Sequence, residues 1–242
     1  MKTHLVFLLL ISFTTNIVFS QTIETDRPDQ TESSSTVPKN GFQIESGTYF
    51  EVTPLKSTVL LPTSLFRIGI SKNIELRVFS QVEHQKTDSI DFTGVSDLEL
   101  GTKIQLFKNS NSPTEIAFLS HFAMPLGSQN LTSNSFGFIN KLLLSHNISE
   151  HFKLGYNLGW IYSNNGPNSG IFTLSFAFGL SDKIGVYVEP YTTFESVTNY
   201  NVNADAGFTY LIKNNLQFDY SIGFGVNNRM NYQSIGASWL IQ

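Results

Sequence analysis

From Gly41 almost to the end of the chain, large apolar residues alternate with small or polar ones at a period of two. Leu216, Phe218, Tyr220, Ile222, Phe224 and Val226 are separated by Gln217, Asp219, Ser221, Gly223 and Gly225. The same pattern runs through Phe152, Leu154, Tyr156, Leu158, Trp160 and Tyr162, and through Phe172, Leu174, Phe176, Phe178 and Leu180. Successive side chains of a strand point to opposite faces, so this spacing predicts long two-faced strands. Twelve segments carry it: 41–53, 57–71, 74–85, 94–107, 114–124, 135–148, 151–163, 169–181, 184–197, 200–212, 216–226 and 230–241. Tight polar turns at 71–73, 108–112, 149–150, 182–183 and 213–215 alternate with a second set of connections. That second set is longer at 86–93, 125–134 and 164–168, and short near Pro54, Thr198 and Asn227. Each strand with its connection takes roughly 17 residues, more than the 9–11 a tilted strand needs to cross a bilayer. Short turns on one side and longer loops on the other are the outer-membrane barrel arrangement, and an even strand number leaves both termini on the short-turn side.

Alternation alone does not say which face is wet. A soluble sandwich or barrel turns its apolar face inward and coats the other with Lys and Glu. Here the second face is mostly Gly, Ser, Asn, Thr and Gln, and charged residues make up only 14% of the chain, against roughly 25% in ordinary soluble domains. Aromatics cluster near strand ends: Phe42, Phe107, Phe152, Tyr210 and Trp239 on the short-turn side, and Phe50, Trp160, Phe194, Phe224 and Tyr232 towards the other. Two such bands flanking an aliphatic middle match interfacial girdles. The expected architecture is a twelve-stranded antiparallel transmembrane outer-membrane β-barrel over 41–242, with a soluble secreted β-protein as the alternative.

The first residues fit export. Lys2 precedes the apolar stretch Leu5 to Phe13, and Val18 and Ser20 stand three and one residues before a cut ahead of Gln21. This is a secretory signal pattern over 1–20; the alternative is a buried N-terminal strand. Cysteine is absent, which removes thiol nucleophiles, thiolate metal sites and redox switches. A net charge of −4, one unit more negative once Lys2 is removed, offers nothing to phosphate backbones and argues against nucleic-acid binding.

Residues 21–40 have no apolar periodicity. They hold the string Glu24-Thr25-Asp26-Arg27-Pro28-Asp29-Gln30-Thr31-Glu32-Ser33, followed by Val37-Pro38-Lys39-Asn40 and the strand start Gly41-Phe42-Gln43-Ile44-Glu45. TDRPDQTES with VPK and GFQIE resembles the exported outer-membrane β-barrel transporter family labelled "putative meta-pathway of phenol degradation". The resemblance is specific over 24–51 and architectural beyond. It implies passive uptake of small solutes, aromatic or other apolar compounds among them, across the outer membrane of a Gram-negative cell, with outer-membrane lipid and the barrel-assembly machinery as partners. The ending Trp239-Leu240-Ile241-Gln242 departs from the terminal aromatic that assists assembly of many such barrels; Trp239 is the residue placed to take that role.

The polar face predicts the lumen lining: Glu45, Glu51, Arg67, Glu75, Arg77, Glu83, Asp97, Glu99, Lys103, Glu115, Lys141, Lys153, Glu189, Glu195, Asp205 and Asp219. These charges form either a selectivity surface for solutes or a set of internal ion pairs that stiffen a packed, non-conducting structural or adhesion barrel. The leader 21–40 is either a periplasmic tail or a plug folded back into the lumen. As a plug it would use Asp26, Arg27, Asp29 and Glu32, with Arg27 paired to a wall carboxylate such as Glu75 or Glu99. Catalysis is not expected. Ser120-His121 and Ser145-His146 are adjacent and so face opposite ways, while Ser149 and His151 have the right spacing but lie at a tight turn. His84, His121, His146 and His151 are too dispersed for a metal site, and no cofactor motif occurs.

Overall fold

The structure is a computed structural model that describes residues 22–242, so the expected signal segment lies outside the described residues. The chain forms an all-β closed barrel. In chain order the strands are β1 Phe42–Val52, β2 Ser57–Gly69, β3 Ile74–Lys86, β4 Asp91–Val95, β5 Leu98–Lys108, β6 Thr114–Met124 and β7 Gly137–Ser149. They continue with β8 Phe152–Ser163, β9 Ser169–Gly179, β10 Ile184–Phe194, β11 Tyr200–Lys213, β12 Leu216–Gly225 and β13 Asn231–Ile241. Every pairing is antiparallel, strands pair with their neighbours around the ring, and β1 closes it against β13 with Phe42 opposite Ile241 and Val52 opposite Asn231. β4 and β5 occupy one position in the ring, since both pair with β3 on either side of Ser96-Asp97. The barrel therefore has twelve strands.

The fourth strand is the main difference from the pattern read in sequence. Half of 86–93 is not loop: β3 and β4 pair as far as Lys86 and Asp91, leaving 87–90 as the turn. Asp97 does not line the lumen wall. Its carboxylate accepts the N–H of Gly127 and the N–H and hydroxyl of Ser133, pinning the long 125–136 connection over the strand break. Glu195 also leaves the expected set, because β10 ends at Phe194 and Glu195 binds Asn199 within the next turn. In β2 the pairing with β3 slips between Leu60 and Thr63, around Pro62, which has no N–H to donate. The slip changes the parity, so Thr58 faces inward before it and Arg67 after it.

Outside the barrel, Phe50, Phe107, Trp160, Phe194, Tyr210, Phe224 and Trp239 are exposed around an aliphatic belt that includes Val188, Ile222 and Ile235. A bilayer covers such a belt, while the closed ladder satisfies the backbone. Tyr232 is not part of the girdle. It lies an odd number of residues from Trp239, so the two face opposite ways, and Tyr232 is buried in the lumen at 5% exposure.

Val188→Arg, at mid-strand on the lipid face, should cost roughly 2–4 kcal/mol, whereas Ile184→Arg at the barrel rim should cost about 0–1 kcal/mol. Urea titration of protein folded into lipid vesicles measures both.

Candidate functional site: a leader folded into the lumen

The leader forms a loop inside the barrel. Its two ends meet at the mouth formed by the short turns, where Ile23 and Val37 pack with Leu240 and Leu211. The Ile23 N–H bonds the Asn214 carbonyl at 2.7 Å, and the Val37 N–H bonds Glu75 at 2.7 Å. Between them the chain climbs into the lumen and returns. Proline at 28 and the hydroxyl-rich stretch 31–36 favour no helix or strand, so the backbone groups of this loop depend on the wall for partners.

Wall and leader are joined by charge on one side. Glu45 accepts the N–H groups of Asp26 and Arg27 at 2.9 and 3.1 Å. Arg67 lies between Glu45 (2.7 Å) and Glu75 (2.9 Å) and also reaches Asp26 at 3.4 Å. Lys103 Nζ contacts Asp26 at 2.7 Å with its side chain fully buried. Arg77 spreads its fork over three carboxylates: Asp26 at 2.6 Å, Glu32 at 2.7 Å and Glu75 at 2.9 Å. Lys141 completes the group at 2.9 Å from Glu32. Burial alone would push the Asp26 carboxyl up, but Arg67, Lys103 and Arg77 outweigh it and hold it well below the usual carboxylate range. Glu32 behaves in the same way: Lys141 and Arg77 overcome burial and bring it to about 2.

The opposite wall is acidic and aromatic. Arg27 pairs with Asp219 at 2.9 Å and also bonds the Ser234 hydroxyl, so its partner is neither Glu75 nor Glu99. It lies across Gly47 and Gly236, which face each other on β1 and β13; a Cβ on either would collide with its guanidinium. Glu189 accepts the Gln30 N–H at 2.7 Å and the Thr31 hydroxyl, and the same hydroxyl is 2.6 Å from that of Thr173. Burial, reinforced by Glu189, pushes the Asp29 carboxyl well above its ordinary value. Tyr232 stacks on Tyr49 with ring centroids 4.9 Å apart and donates to Asp205 at 2.5 Å.

Of the remaining predicted residues, Glu115 takes the Ser34 and Ser35 hydroxyls near the short-turn mouth, and Glu99 bonds His121 towards the other. Sequence reading missed Asn157, Thr173, Ser234 and His121 as leader or network partners, and Tyr49, Tyr187 and Tyr232 as lumen residues. Strand parity relative to the neighbouring charges was the signal that would have found them. Ser149 Oγ accepts the backbone N–H of His151 at 3.3 Å within the turn.

A cavity lies on either side of the leader. One of about 380 Å³ opens at the short-turn mouth and is bounded by Asn147, His151, Lys153, Tyr187 and Gln217. The other, about 250 Å³, lies on the far side, with Leu65, Phe79, Leu119 and Ile139 as an apolar wall above Arg77, His121 and Lys141. Arg27, Asp29 and Glu32 border both cavities, which places the leader apex as the partition.

Removing one partner from a buried ion pair strands the others. Arg67→Met should therefore cost about 3–5 kcal/mol in urea unfolding from vesicles. Arg67→Lys should recover little, because an ammonium lacks the fork that holds Glu45 and Glu75 together. A loss of only about 0–1 kcal/mol, the value for an exposed pair, would contradict this account.

Comparison with solved structures gives outer-membrane channels and porins of low sequence identity. The COG4313 outer membrane channel from Pseudomonas putida F1 superposes with a TM-score of 0.75 at 11% identity, covering 90% of this chain and 100% of that one. The KdgM porin, solved in complex with disordered oligogalacturonate, gives 0.57 at 12% identity over 81% of this chain and 98% of its own. The NanC porin gives 0.57 at 8% identity over the same shares. At these identities the likeness establishes the barrel fold. No curated protein matches the chain in sequence. The family model described as "Putative MetA-pathway of phenol degradation" matches residues 25–241, from the leader to the last strand, and the chain belongs to that family.

Proposed function

We propose that this protein is an outer-membrane channel for small solutes in a Gram-negative-type envelope, exported by residues 1–20 and closed at rest by its own leader. The observation that carries the reading is the leader loop itself, seated across the lumen on wall charges and dividing it into two cavities. The apolar wall of the far cavity, with Leu65, Phe79, Leu119 and Ile139, suits apolar or aromatic solutes. Transport is passive, down a gradient. The reaction chemistry of an enzyme has no place in this reading, and Ser149 serves the turn. Lipid covers the outer belt, and the assembly machinery of the outer membrane inserts the barrel.

One second reading has an observation behind it. Buried, mutually satisfied ion pairs also suit a non-conducting structural barrel whose packed lumen is permanent. Planar-bilayer recording separates the two. The channel reading predicts that the intact mature protein is silent or flickers briefly, and that protein lacking residues 22–39 gives stable conductance steps. Silence in both, from protein shown to be folded by its heat-modifiable migration, would replace the channel with the structural barrel.

A further inference from the structure

We propose that Arg67, Arg77, Lys103 and Lys141 form a binding site for a small dicarboxylate solute, a site that Asp26 and Glu32 of the leader occupy in its place. The inference deepens the gated-channel reading and rests on it. Of the wall carboxylates near these four cations, Glu45 and Glu75 are both engaged by Arg67, and Glu99 is bonded to His121. Among the described residues, Lys103 and Lys141 have no wall carboxylate within ion-pair distance; their charged partners are Asp26 and Glu32. The wall thus leaves Lys103 and Lys141 without a paired carboxylate, and the leader supplies one to each. A buried ammonium without a counter-charge is costly, so once the leader leaves, the wall favours an anion in its place.

The geometry specifies the kind of anion. Asp26 and Glu32 sit on the two terminal nitrogens of one guanidinium, that of Arg77. Its third nitrogen, Nε, donates to His121 Nε2 at 2.9 Å, which fixes the fork with both terminal nitrogens turned to the lumen. Two carboxylates held a guanidinium's width apart, each with its own lysine, describe a short dicarboxylate. The far cavity reaches Arg77 and Lys141, and the side chains of Phe79 and Leu119 there give a carbon skeleton an apolar wall. Binding from that side would compete with the leader and release it, so the solute would open its own path.

The test uses the full mature chain in lipid vesicles, with succinate as probe and acetate or chloride at matched ionic strength as controls. Amide hydrogen exchange is followed over residues 26–33, where the Ser33 N–H bonds Asp26 and the Glu32 N–H bonds Asn157. Succinate at ten times its Kd for the released state should speed this exchange about tenfold by mass action, and the controls should not. Titration calorimetry should then find succinate bound at least about tenfold more tightly by the Asp26→Asn/Glu32→Gln double variant, which removes the tethered competitor. Lys141→Gln added to that double variant, where the tethered competitor is already gone, should weaken succinate about tenfold. Leader exchange that responds equally to acetate, or equal succinate affinity in wild type and double variant, would overturn the proposal. These readouts need no current: a channel that never conducts would sink the function reading, and absent succinate competition would sink this one alone.

Discussion

The arrangement depends on the desolvation of charge inside a narrow closed sheet. Arg67, Arg77 and Lys103 sit on adjacent strand positions β2, β3 and β5 with their side chains at most 2% exposed, and none can be stranded there without a large penalty. The wall supplies too few carboxylates for them, and the segment just before β1 brings the rest. The leader is thus part of the lumen's charge balance. Its path follows from that need: Asp26 goes to Lys103 and the two arginines, Glu32 to Arg77 and Lys141, and the chain must bend between them.

Other features of the wall accommodate this loop. Gly47 and Gly236 open a flat window against which the Arg27 guanidinium lies while it holds Asp219. Ile23, Val37, Leu211 and Leu240 close the two ends of the loop together at one mouth, so the leader is anchored at its base and crosses the lumen at its apex. The bonds at the apex are of a different kind. At Glu189 the leader offers only a backbone N–H and a hydroxyl, with no cation, so that contact is weaker than the one on the basic wall. The same wall also holds the Arg27–Asp219 ion pair, so the leader is tied by charge to both sides of the lumen, and the Gln30–Thr31 contact with Glu189 lies between these ion-paired points.

Much of the barrel was legible because period-two alternation is a local signal that a closed sheet preserves along its whole length. The twelve ring positions, the outward Phe218–Ile222–Phe224 face and the inward Arg67, Glu75, Arg77 and Lys103 all follow from parity. Parity fails where the ladder is interrupted. Asp97 is in phase with Glu99, yet the break at Ser96-Asp97 turns it to the 125–136 connection, and no local residue pattern announces that. Tyr232 shows the opposite case, since its parity was available and its aromatic character misled. The partner of Arg27 was beyond local reasoning: Asp219 lies 192 positions away, and only ring closure of β13 on β1 brings that wall to the leader. The family resemblance located the leader string without specifying its contacts.

In the proposed channel, the leader apex seated in the lumen closes it. The Cys-free chain allows a direct test, because the Thr31 and Thr173 hydroxyls are 2.6 Å apart. The measurement is single-channel conductance of a Thr31→Cys/Thr173→Cys protein, first oxidised and then reduced in the same bilayer. The apex disulfide should form readily, the oxidised protein should stay closed, and reduction should restore whatever openings the wild-type chain shows on leader release. Failure of the pair to cross-link in folded protein, or identical open conductance before and after reduction, would contradict closure by the leader.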